Sequence, residues 1–185
     1  MFQQTKGPEL FGYMLSNGDH TEVIQFRVDG FTFSRLEPYT SWNQFSDQAY
    51  NLWDSYEKTL GPIEVPRIAV RYINRLRIPP TCYDALGRYL THPPSLIQSG
   101  AIIDGYLEKQ NIDFGKRNIK ANVIRAIPSV EDKEVSEILL DNDVYRMNPI
   151  DGEKGEWNSQ FDELKDIKNQ LFFDSITEEA ARLFE

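Results

Sequence analysis

D-G-F-T-F-S-R-L-E-P-Y-T-S-W (Asp29–Trp42), a helical run to Leu60 and then G-P-I-E-V-P-R-I-A-V-R-Y-I-N-R-L-R-I (Gly61–Ile78) decide the fold. Asp29-Gly30 stands between two alternating apolar runs, T-E-V-I-Q-F-R-V and F-T-F-S-R-L, and predicts a hairpin closed by a type I′ turn. In that register Val28 faces Phe31, Phe26 faces Phe33 and Ile24 faces Arg35, so one face carries the apolar side chains. Glu37-Pro38-Tyr39 breaks the second strand. Thr40 or Ser41 then caps a helix with Trp42, Phe45, Ala49, Leu52, Trp53, Tyr56 and Leu60 on one stripe, and Gly61-Pro62 ends it.

Working outward, Leu10–Leu15 predicts a short strand and Val65–Ile78 a longer one that stops at Pro79-Pro80. The longer strand alternates Ile68, Val70, Tyr72, Asn74 and Leu76 against Arg67, Ala69, Arg71, Ile73 and Arg75. Tyr83–Leu90 predicts a short helix. Three more strands follow at Ala101–Leu107, Asn118–Ile127 and Val135–Tyr145, with connections too short for helical crossovers, so they predict an antiparallel meander. Trp157, Phe161, Leu164, Ile167 and Leu171 mark a helix, Asp174-Ser175 interrupts it, and Thr177 caps a last turn whose Ala181, Leu183 and Phe184 are expected to dock on the core. The expectation is one α+β domain over residues 1–185: an antiparallel sheet with the long amphipathic helix and the C-terminal helices on one face.

Composition limits the function. The 185 residues are 40% hydrophobic and carry a net charge of −9, which disfavours general attraction to nucleic acid or anionic membranes. No apolar run approaches a membrane helix and the first residues lack a signal-peptide core, so a cytoplasmic protein is expected. The lone Cys82 fits a reducing compartment and sits beside nothing that would activate it. Charge is uneven: residues 66–88 hold five arginines against Asp84 alone, and residues 151–185 hold ten acids against four bases.

The chain contains no G-x-S-x-G elbow, phosphate-cradling loop, H-E-x-x-H or cysteine pair, and no catalytic residue or cofactor is assigned from it. His20 and His92 lack metal-ligand spacing. Asp141 and Asp143 form a D-x-D pair, a weak metal pattern better explained by ion pairing. The arginines of the long strand offer either an anion platform or cross-strand partners for Glu137, Asp141 and Asp143, and pairing is the preferred reading.

F-T-F-S-R-L-E-P-Y-T-S-W (Phe31–Trp42), R-I-A-V-R-Y-I-N-R-L (Arg67–Leu76), L-D-N-D-V (Leu140–Val144) and F-D-E-L-K-D-I-K-N-Q-L-F-F-D-S-I-T (Phe161–Thr177) resemble a sporadically distributed prokaryotic family of conserved hypothetical proteins. The resemblance covers most of the chain from about residue 10. It implies a prokaryotic source and a horizontally moving gene, and it carries no reaction with it. The family's usual N-terminal segment, of the P-P-I-V-E-A kind, is not found here. By the resemblance the motif positions are Arg35, Pro38, Tyr39, Trp42, Arg71, Tyr72, Asn74, Arg75, Lys165, Lys168 and Asn169. Arg35, Asn74 and Arg75, polar residues on or beside core-like strands, join Arg71 as the ligand-binding candidates. The expectation is a binding or interaction module, of the kind found in defence or mobile-gene systems, whose partner is another protein or a second copy. The alternatives are a domain sensing a small anionic or nucleotide ligand and, behind it, a hydrolytic or phosphoryl-directed enzyme.

Overall fold

The aromatic hairpin forms, with its turn one residue earlier than the Asp-Gly signal places it. In the computed structural model, which describes residues 11–39, 41–61, 63–95, 105–128, 135–149 and 154–184, strands β1 (Gly12–Ser16), β2 (Glu22–Arg27) and β3 (Gly30–Arg35) make an antiparallel sheet. Arg27 pairs with Gly30, Phe26 with Phe31, Ile24 with Phe33 and Glu22 with Arg35. Val28 and Asp29 therefore turn the chain, and neither they nor Gly30 has the positive φ of a type I′ turn. Side chains account for the shift. Arg27 holds Asp29 at 2.9 Å across the turn, and Arg35 meets Glu22 at 3.1 Å at the open end. Moving both strands by one residue keeps Ile24, Phe26, Phe31 and Phe33 on one face, but it removes Val28, which is 77% exposed.

Helix α1 (Trp42–Leu60) begins where Ser41 accepts from the Gln44 N–H and ends at Gly61, whose φ of 84° suits glycine. Its aromatic stripe packs on that face. Phe45 stacks on Phe33 with centroids 5.1 Å apart, Tyr56 on Phe26 at 5.5 Å, and Trp53 meets Phe31 edge-on at 5.9 Å.

The remaining strands form a second sheet rather than extending the first. β4 (Arg67–Thr81), β5 (Tyr106–Asp113), β6 (Ile119–Ile127) and β7 (Val135–Met147) lie in the order β4-β7-β6-β5, all antiparallel. The meander is as expected, and β4 joins it along β7. The α+β class with antiparallel sheet holds, and the chain divides into two compact units, Met1–Glu64 and Val65–Glu185. β4 continues through Pro79-Pro80 because it is an edge strand whose register shifts between Arg77 and Thr81, where a missing N–H breaks no ladder bond. Of the segment expected as a strand at Ala101–Leu107, residues 101–104 lie outside the described residues. The strand seen there starts at Tyr106 and runs to Asp113, where Asp113 accepts from the Gly115 N–H.

Helix α2 (Lys154–Ser175) covers β4 and β7. Leu76, Ile78, Ile127, Ile138 and Leu140 of the sheet close a core with Tyr83, Leu86, Tyr89 and Leu90, which lie in or just after a 3₁₀ helix at Tyr83–Arg88, and with Ile176 and Ala180. Thr177 caps α3 (Glu178–Ala181) by accepting from Ala180 N–H, as expected. Ala181 docks as expected, half-buried against this core, and Ala180 beside it is fully buried. Leu183 is exposed, because the short helix turns it outward, and the Phe184 side chain is outside the described residues. No helix among the described residues is long and apolar enough to cross a membrane.

Candidate functional site

Strand alternation gives the four-stranded sheet two chemically different faces, and the ligand-binding candidates are divided between them. On the face away from α2, every arginine with a described partner meets a carboxylate of β7. Arg71 grips Asp141 through two nitrogens, at 2.8 and 2.6 Å, and this hydrogen bonding holds its guanidinium above the usual arginine range. Arg67 reaches Asp143 at 2.9 Å and lies 4.4 Å over the Tyr145 ring, while Arg75 stands 4.0 Å from Glu137. Cross-strand pairing thus accounts for the stripe. Asp141 and Asp143 are engaged by guanidinium groups, and Asn122 also donates to Asp143 at 3.2 Å. Among the described residues no group of three or more His, Cys, Asp or Glu side chains could hold a metal ion.

The other candidates lie elsewhere. Asn74 points to the α2 side and donates to the Leu140 carbonyl at 3.4 Å. Arg35 belongs to the first unit, where Glu22 is its partner, and Gln48 donates to the same carboxylate at 2.8 Å. Only Arg71 and Arg75 therefore share a surface. Because both forks already face carboxylates, inorganic phosphate should stabilise the wild type and Arg75→Ala equally, within about 0.5 kcal/mol. Thermal denaturation in a phosphate series checks this; a stabilisation lost in the variant would restore the anion platform.

Toward its far end the same face becomes apolar. Arg75, Leu139, Ala126 and Leu107 form one cross-strand row, and Ile73, Asp141, Ile124 and Lys109 form the next. Ile73 is 56% exposed and Leu107 74%. An apolar band thus crosses all four strands, with arginines at one rim and Lys109 at the other. Asp141, within the band, is itself buried beneath the Arg71 guanidinium.

The α2 side holds Tyr72, Asn74 and Lys168, already named as motif positions, together with Asn142, Arg125 and Glu108, which were not among them. Tyr72, Asn142, Val123 and Gln110 form one row across it, and Asn74, Leu140, Arg125 and Glu108 the next. Asn142 is 1% exposed, and neither its amide nitrogen nor its oxygen has a hydrogen-bond partner among the described residues. Lys168 of α2 is 7% exposed, with its ammonium 3.5 Å from the Tyr72 ring centroid. Burial, reinforced by the nearby Lys165 charge, lowers its pKa to about 8. Arg125, also buried, pairs with Glu108 at 3.4 Å and donates to the His92 carbonyl at 3.2 Å. Tyr106 and Gln110 donate to Glu108 at 2.7 and 2.6 Å and hold its carboxyl below the usual range.

A signal for Lys168 was present. Trp157, Phe161, Leu164, Lys168, Leu171 and Ser175 follow steps of three and four, so the lysine shares the buried stripe. An open polar cleft of about 360 Å³ runs beside α2, lined by Arg117, Asn118, Arg146, Asn148, Ser159, Gln160 and Glu163. None of the four candidates lines it. Comparisons with protein-family models, curated proteins and solved structures find no match.

Proposed function

We propose that the chain is a protein-interaction module that works through the face of its four-stranded sheet turned away from α2. One observation carries this reading: the apolar band of Ile73, Leu139, Ile124, Ala126 and Leu107 spans every strand and ends in exposed large side chains. Apolar surface that crosses a whole sheet and is rimmed by charge is the pattern of a protein contact. Arginine chemistry indicates the kind of partner. Arg71 and Arg75 stand more exposed than the carboxylates beneath them, so the rim is cationic although the chain is acidic overall. A partner apolar at its centre and acidic at its edge fits such a surface.

The test is a double variant, Ile73→Asp with Leu107→Asp. Both side chains are exposed, so stability should change by less than about 0.5 kcal/mol each. Native mass spectrometry of gently purified protein should show a complex of fixed stoichiometry in the wild type and its loss in the variant. A partner chain of different sequence that the variant retains contradicts the assignment, as does a wild type that carries no such chain.

A further inference from the structure

Four strands form the sheet edges, β1 and β3 in one unit and β4 and β5 in the other, and they are not equally protected. β3 carries Arg35; β4 carries a row of arginines and Pro79-Pro80; β5 carries Glu108, Lys109 and Asp113. Charges and prolines on an edge discourage pairing with another chain. β1, G-Y-M-L-S, has neither, and Tyr13, Met14 and Leu15 are all exposed.

The backbone shows which groups β1 offers. Val28 N–H donates to the Phe11 carbonyl at 3.0 Å, and Asn17 N–H to the Glu22 carbonyl at 3.2 Å. With the β1–β2 register, alternate residues from Phe11 to Asn17 thus turn their N–H and C=O groups to β2. The groups of Gly12, Met14 and Ser16 point outward, where no strand bonds them among the described residues.

We propose that two copies of the chain pair through β1 about a two-fold axis at Met14, joining their three-stranded sheets into one antiparallel sheet. In that register Gly12 lies opposite the partner's Ser16, and Met14 lies opposite its own counterpart, so the outward groups meet in hydrogen-bonded pairs. Tyr13 lies opposite Leu15 of the second copy, apolar against apolar. Charge selects a copy of the chain as the occupant. Self-pairing of β1 brings no like charges together, whereas self-pairing of β4 about Ile73 would set Arg71 against Arg75. On a chain of net charge −9, a neutral edge is where two copies meet least local repulsion.

The contact is small, so it gives a concentration-dependent dimer rather than a permanent one. It names a partner for an interaction module on a separate surface, and the Ile73/Leu107 double variant should leave it intact, so the two readings fail independently. Sedimentation velocity of the full chain over a concentration series tests it. Met14→Lys and Met14→Glu should each raise the dimer dissociation constant roughly tenfold or more, and an equal mixture of the two should recover the dimer because residue 14 faces itself. Met14→Pro should also dissociate it: the lost N–H points outward, so the bonds from β1 to β2 remain. A wild type that stays monomeric, a dimer indifferent to these variants, or a mixture that shows no recovery overturns the proposal.

Discussion

Glu108→Ala is expected to cost about 3 kcal/mol, because it leaves a buried guanidinium without its counter-charge. Arg125 lies inside the second unit, with Glu108 as its carboxylate and the His92 carbonyl as its other acceptor. The substitution also frees the Tyr106 hydroxyl and the Gln110 amide, each of which donates to Glu108. Guanidinium denaturation followed by far-UV circular dichroism measures the loss. The acid side gives an independent check. Hydrogen bonds from Tyr106 and Gln110, with the Arg125 charge, lower the Glu108 pKa in the folded state, so its stabilisation is present above the ordinary value of 4.5 and is lost as pH falls through the folded pKa. Wild type should therefore lose stability more steeply than Glu108→Ala below about pH 4.5. A change under about 1 kcal/mol at neutral pH would mean that Arg125 is solvated without its partner.

Lys168→Met is expected to act in the opposite direction, stabilising the chain by about 2 kcal/mol at neutral pH after allowance for partial screening. The buried amine has no described carboxylate partner, and the Tyr72 ring offsets only part of its desolvation. Its folded pKa of about 8 lies below the ordinary 10.5, so between these values the unfolded chain binds more protons than the folded one. Wild-type stability should then rise with pH across that window, and the advantage of the methionine variant should shrink over the same range. Denaturation curves at neutral pH and near pH 10 decide the matter. A variant less stable than wild type at neutral pH would mean that Lys168 has a partner stronger than the ring.

A chain that keeps under one helix a lysine offset only by an aromatic ring, and an asparagine whose amide has no hydrogen-bond partner among the described residues, gives up stability there. Both were hard to read in the sequence for the same reason. Periodicity places Lys168 on the buried stripe and Asn142 on the buried face of β7, but polar identity argues for solvent at each position. Only the packing of α2 on β4 and β7 resolves that conflict.

Elsewhere the residues were plainer. Ser41, Gly61 and Thr177 mark their helix ends, because capping is local chemistry within a few residues. That the arginines of β4 would meet Glu137, Asp141 and Asp143 was legible from two alternations, once β4 and β7 were neighbours; which guanidinium takes which carboxylate was not, because the ion pairs run diagonally to the register. What misled was the hairpin turn. Asp29-Gly30 is a strong local signal, yet the Glu22–Arg35 and Arg27–Asp29 ion pairs favour a turn one residue earlier, and both depend on contacts across the hairpin. The division into two sheets was not legible, since hydrophobic period identifies strands but not which strands share a sheet. The site showed the same limit: alternation separates Asn74 from Arg71 and Arg75, whereas Arg35 could be placed only by the sheet to which its strand belongs.

The central claim is that the apolar band on the sheet face opposite α2 is covered by a protein partner, and side-chain footprinting by hydroxyl radicals tests it most directly. The chain would be oxidised inside the cell that makes it and again as dilute purified protein. The account predicts that Ile73 and Leu107 are oxidised several-fold less in the cell, while Phe173 and Leu183, exposed on helices of the same unit, react equally in both. Equal oxidation of Ile73 and Leu107 in the two settings would contradict it.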